Sequence, residues 1–148
     1  MTDLWKLHEA PFPHAPPGAE GLEAQLRSVV GLLRCWRWGP VSPEGITVFL
    51  MFDADPTTLR LVVTPSWISA DVFCTYIPLD ADLLTWVLMR NHLQAWKARA
   101  AAQEKGGIPL YLETSFSTAD QPVLGRIVWA AYQEGLNWRG EIELRATS

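Results

Sequence analysis

Apolar residues return every three or four positions through residues 80–104, DADLLTWVLMRNHLQAWKARAAAQE. Trp86, Met89, Leu93, Trp96 and Ala100 make one stripe on a helix of about 3.6 residues per turn. Leu83, Leu84, Val87 and Leu88 make its first half apolar nearly all round, while Lys97, Arg99, Gln103 and Glu104 leave the second half polar off the stripe. Asp80 and Asp82 suit a first turn, where unpaired N–H groups and the helix dipole favour carboxylates. Ala100 to Ala102 are strong helix formers, and Gly106-Gly107 supplies a stop. The spacing predicts one long central helix.

Residues 19–38 carry a second helical spacing. Leu22, Leu26, Val29, Leu33 and Trp36 repeat at four, three, four, three, a narrow seam that Gly39-Pro40 closes. Ahead of it, Pro11, Pro13, Pro16 and Pro17 set residues 1–18 apart as a proline-rich arm. Trp5 and Leu7 precede those prolines, and the arm reads equally as packed or as disordered.

Between the two helices the period falls to two. ITVFLMF, residues 46–52, is apolar on both faces and predicts a central strand. In LRLVVT, residues 59–64, Leu59, Leu61 and Val63 alternate with the more polar set Arg60, Val62 and Thr64. A third strand falls within residues 67–77, and the short connections predict an antiparallel meander. After the central helix, IPLYLETSF, residues 108–116, puts Leu110, Leu112, Thr114 and Phe116 on one face and Tyr111, Glu113 and Ser115 on the other. Thr118 to Gln121 fits a capping box with Pro122 just inside the next helix, whose stripe is Val123, Leu124, Ile127, Val128 and Ala131. Beyond it two patterns compete: Gly135, Trp138 and Ile142 continue the helical spacing, while residues 141–145 alternate like an edge strand. Gly135 and Gly140, at about 1 kcal/mol each in a helix interior, favour a break at Gly135.

The order is helix, three strands, long helix, strand, helix. It predicts an α+β fold over residues 19–148, an antiparallel meander sheet with helices packed mainly on one face. A composition of 49% hydrophobic and 19% charged residues is globular. A net charge of −4 disfavours nucleic acid as a direct partner. No apolar run approaches the roughly 18 residues of a membrane span. The N-terminus lacks the basic start and apolar core of a signal peptide, so a soluble, cytoplasmic protein is expected. Cys35 and Cys74, far apart in different elements, read as two buried thiols in a reducing compartment.

The candidate chemistry is thin. His8 and His14 lie in the arm, and His92 has no companion at metal-ligand spacing. Asp53/Asp55 and Asp80/Asp82 are explained by a turn and a helix start, so no metal and no cofactor are expected. Neither cysteine has an activating neighbour, and no GxSxG, GxGxxG or P-loop pattern occurs. Arg34, Trp36, Arg37 and Trp38 mix cations and aromatics as single-strand nucleic-acid binders do, in a short stretch of an acidic chain. A pocket between sheet and helices that uses His92 and Tyr76 is a further alternative.

The tryptophans change the picture most. The chain has eight, and Trp129 lies off its helix's stripe. On one helix Trp36 and Trp38 cannot both face inward, because two residues turn it about 200°. Some are therefore expected at the surface, where tryptophan favours protein contacts.

This order of elements in a small acidic chain resembles the YbjN-like proteins, and is similar to the type III secretion chaperones that share that fold. The likeness covers about residues 19–134 and is one of topology, size and acidity. Its local match is Met89-Arg-Asn91, near where the YbjN-like helix often carries an asparagine. Two features depart from the pattern. Those chaperones carry two strands after the long helix, where the sequence shows one, and the arm has no counterpart.

The resemblance implies a non-catalytic homodimer that binds extended segments of client proteins. Carried over, Leu22, Leu26, Leu33, Trp36 and Trp38, with exposed strand-face residues, are partner contacts, and Trp86 and Trp96 serve the core or a dimer seam. It transfers no catalytic residue.

Overall fold

The structure is a computed structural model that describes residues 11–54, 57–91, 95–120 and 122–146. The elements are α1 (Glu20–Arg27), β1 (Leu33–Ser42), β2 (Gly45–Phe52), β3 (Thr58–Val63), β4 (Trp67–Ile77), α2 (Ala81–Asn91), β5 (Lys97–Ala100), β6 (Ile108–Ser117) and α3 (Leu124–Ala146). The six strands form one antiparallel sheet in the order β1-β2-β3-β4-β6-β5. The fold is α+β, with the helices packed on the sheet. No helix among the described residues is long and apolar enough to cross a membrane.

The helix-side face of the sheet is the core. Val48, Leu50, Phe52, Leu59, Leu61, Ala70, Val72 and Leu112 point into it at every second position, which is the pleat of a strand. Helix α3 lies against β4 and β6. Its buried residues run Leu124, Ile127, Val128, Ala131, Gly135, Trp138 and Ile142, so the helix passes straight through the break expected at Gly135. Two interior glycines cost about 2 kcal/mol together, and burying Trp138 and Ile142 gains about 1.5–3 kcal/mol each. At the other end, Leu124 N–H donates to Gln25 Oε1 of α1 at 3.4 Å, and Thr118 Oγ1 donates to Pro65 O rather than capping the helix.

Two expected helices are shorter than their spacing suggested, and each gives way to a strand. Helix α1 ends at Arg27, and a 3-10 turn over Val30–Leu32 leads into β1. Leu33 and Trp36 therefore belong to a strand that pairs with β2, and Gly39-Pro40 sits at its bulge, where an edge strand tolerates proline. On a strand, two residues apart is one face, so Trp36 and Trp38 lie side by side with ring centroids 6.3 Å apart. Helix α2 ends at Asn91; Leu83 and Val87 are its buried residues, while Met89 is exposed. Lys97–Ala100 then pairs with β6 in spite of the helical propensity of its alanines, because pairing with a formed strand outweighs a few tenths of a kcal/mol per residue. The Gly106-Gly107 pair shapes the β5–β6 turn instead of ending a helix. Gly107 has φ +121°, and a Cβ there would lie 2.8 Å from Ile77 O.

The described part of the arm is packed. Pro13 O accepts the indole N–H of Trp36 at 2.9 Å and of Trp38 at 3.0 Å, and Phe12 meets the Trp36 ring edge-on. Glu23 of α1 holds the arm from below, accepting from the Ala15 N–H at 2.8 Å and from His14 and Arg27. These contacts hold its carboxyl down to about 2, the Ala15 backbone N–H contributing most and the Arg27 and His14 bonds next.

Candidate functional site

The sheet's second face carries no helix among the described residues. Strand register builds it as three rows. The central row crosses all six strands: Arg37, Phe49, Arg60, Asp71, Glu113, Lys97. On one side lie Met51 and Thr58, then Phe73, Tyr111 and Arg99. On the other lie Thr47, Val62, Ser69 and Ser115. The alternation of β3 and β6 had already placed Arg60, Tyr111, Glu113 and Ser115 on one side of their strands. The register adds that these sides coincide.

Asp71 is the centre of this face. Its Oδ2 accepts from Arg60 at 3.1 Å and from Arg99 at 3.3 Å, and Arg99 Nε also reaches Glu113 at 3.1 Å. Burial pushes the Asp71 carboxyl up, against the pull of Arg99 and Arg60. Its Oδ1 is buried without a hydrogen-bond partner. Beside it the Arg99 guanidinium lies 4.8 Å from the Tyr111 ring centroid. Phe73 packs edge-on to Tyr111 at 5.7 Å and to Tyr76 at 5.1 Å. Two shallow depressions of about 570 and 520 Å³ flank Asp71, one toward Ser69 and Ser115 and the other toward Phe49 and Tyr111. The face is an ionic bar laid between aromatic and hydroxyl rows.

Each edge of the sheet is capped at one point. On β1, Trp36 N–H donates to Pro11 O at 3.0 Å. On β5, the Asn91 side chain acts as a short substitute strand. Its Oδ1 accepts from Ala98 N–H at 2.7 Å and its Nδ2 donates to Ala98 O at 2.9 Å. An outward-facing backbone pair is thereby satisfied on an edge only four residues long.

Most of the residues expected at a site lie elsewhere. Leu22, Leu26, Leu33 and Trp36 are in the core, as is Trp96, so none of the five lies on a surface open to a partner. Trp38 is half-buried under the arm. Trp86 is half-buried too, 6.1 Å from Trp138, with Arg145 at 4.3 Å from its ring. Trp67 and Trp129 are the exposed tryptophans among the described residues. Arg34, Trp36, Arg37 and Trp38 do not converge: the tryptophans turn to the arm, Arg37 to the open face, and Arg34 to Asp53. Tyr76 donates to Glu104 Oε1 at 3.2 Å; His92 and Asp55 lie outside the described residues. Cys35 and Cys74 are buried and unbridged, the Cys35 thiol pushed up by burial. Asp80 Oδ1 accepts from Asp82 and Leu83 N–H, the N-terminal cap that its position suggested. Among the described residues no group of three or more His, Cys, Asp or Glu could hold a metal ion.

Comparison with family models, with curated proteins and with solved structures finds no match to this chain.

Proposed function

We propose that the chain is a non-catalytic, cytoplasmic adaptor of the chaperone-like kind, and that its protein partner lies on the open face of the sheet. One observation carries this: the face that carries no helix among the described residues presents Phe49, Val62, Phe73 and Tyr111, none of them fully buried. An antiparallel sheet commonly turns one face to water, but such a face is ordinarily polar. Aromatic and aliphatic side chains there, interleaved with charge, are the character of a contact surface.

The likeness to YbjN-like proteins and secretion chaperones supports the same reading. Two strands, β5 and β6, follow α2, as in that pattern, and Asn91 stands at the end of the helix in the region of the match. A homodimer is part of this reading, with Leu88 and Met89 on the outside of α2 open to a second copy.

The test is a three-way affinity capture from lysate of the source organism. The tagged chain, an Arg60→Glu/Tyr111→Ser variant and a Trp129→Ser variant are compared by mass spectrometry of the retained proteins. The reading expects one or two specific proteins with the parent chain and with Trp129→Ser, and their loss with the open-face variant. Retention of the same proteins by all three contradicts it.

A further inference from the structure

The open face differs in charge from the rest of the molecule. Its central row and the row of Tyr111 hold Arg37, Arg60, Lys97 and Arg99, four of the chain's 12 basic residues, and only Asp71 and Glu113 of its 16 acidic ones. A chain of net charge −4 therefore presents a net positive surface on one side. The cations are also placed at intervals. Arg60 and Lys97 flank the two carboxylates in the central row, and Arg99 stands over Tyr111 in the next.

We propose that the partner docks as an extended, acidic polypeptide segment laid across the strands of this face. This rests on the adaptor reading and names the chemistry of its partner. Carboxylates of the segment pair with Arg60, Arg99 and Lys97. Its apolar side chains rest on Phe49 and Phe73. The five spacings between six strands, about 4.8 Å each, cover roughly 24 Å, the reach of about seven extended residues. A uniform polyanion such as single-stranded nucleic acid fits less well. Asp71 and Glu113 lie in the middle of the track, and Arg99 already occupies the Tyr111 ring. A polypeptide can set a lysine or arginine cation against those two carboxylates, and a nucleic acid carries no cation at neutral pH.

The experiment is selection of a random-peptide display library against the immobilised full chain. Selected peptides are then titrated into the labelled protein, with an oligouridylate run in parallel. The proposal expects enriched peptides rich in Asp and Glu with interspersed apolar residues. Their affinity should fall with added salt, and Arg60→Glu or Arg99→Gln should weaken it about tenfold or more. Arg126→Glu on α3 should leave it unchanged. Chemical-shift changes in the parent protein should map to β3, β4 and β6, a readout that does not depend on any variant folding. Neutral or basic winners, or acidic winners indifferent to Arg60 and Arg99, overturn the acidic-segment proposal and leave the adaptor reading standing. Tighter binding of the oligouridylate, or enrichment of no peptide at all, overturns both.

Discussion

Leu50 and Phe49 are neighbours on one strand and belong to different worlds. Leu50 is fully buried beneath the helix layer; Phe49 is only partly covered, between Arg37 and Arg60. The same contrast runs across the sheet. The helix side is close-packed and aliphatic around Trp36 and Trp138, and the open side is a row of paired charges among aromatic rings. One face specifies the fold and the other leaves room for a partner. Stability and recognition are thus divided between the two sides of a single layer, which makes them separable by substitution.

The largest effect expected is on the helix side. Leu50→Ala should cost about 2–5 kcal/mol in urea unfolding, the range for a buried leucine. Phe49→Ala should cost less, about 1–2 kcal/mol, because part of that side chain already faces water. Equal losses at the two positions would dissolve the contrast between the faces.

A smaller effect is expected at the β5 edge. Asn91→Ala removes both bonds to Ala98 and should cost about 1 kcal/mol. Amide exchange at Ala98 should accelerate, and the opened edge should promote concentration-dependent self-association. Unchanged exchange at Ala98 would remove Asn91 from its role as a substitute strand.

The smallest effect concerns pH. The Glu23 carboxyl is held at about 2 in the folded chain, below its unfolded value of 4.5. Its contribution is therefore complete above pH 4.5 and is lost as pH falls toward 2, since the unfolded chain binds the proton first. Asp71 has the opposite sign. Its carboxyl is raised on folding, so it favours the folded chain below its unfolded value and loses that contribution as pH rises through its folded one. Unfolding midpoints followed from pH 4.5 to 2 should fall more steeply for the parent chain than for Glu23→Gln. Parallel curves would show that the arm is held by Pro13 and the two indoles alone.

The sequence carried more of the fold than of the site. β3 and β6 declare themselves through a period of two, β2 through an apolar run between turns, and β4 only as a strand within residues 67–77; all four appear in the structure. The α3 stripe appears too, except that Val123 lies ahead of the helix and is exposed. β1 and β5 do not declare themselves. Leu33 and Trp36 satisfy a helical spacing as readily as a strand, and Lys97-Ala-Arg-Ala has no period until β6 stands beside it. The open face was legible strand by strand, in the outward set of Arg60 and in that of Tyr111 and Glu113. The continuous row from Arg37 to Lys97 was not, because register is a relation between strands. The tryptophans were legible in part. Trp129, off its stripe, is exposed, and so is Trp67; Trp36, Trp96 and Trp138 are buried, and the arm takes up the indole N–H groups of Trp36 and Trp38.

The most direct test uses a second pair of neighbours, Val72 and Phe73 on β4, which face opposite sides of the sheet. Val72→Ser and Phe73→Ser are each measured for urea unfolding and for retention of the captured partner. Val72→Ser should lose about 1.5–3 kcal/mol of stability, while Phe73→Ser should lose less, stay folded and no longer hold the partner. A folded Phe73→Ser protein that still holds the partner would contradict the assignment of the open face.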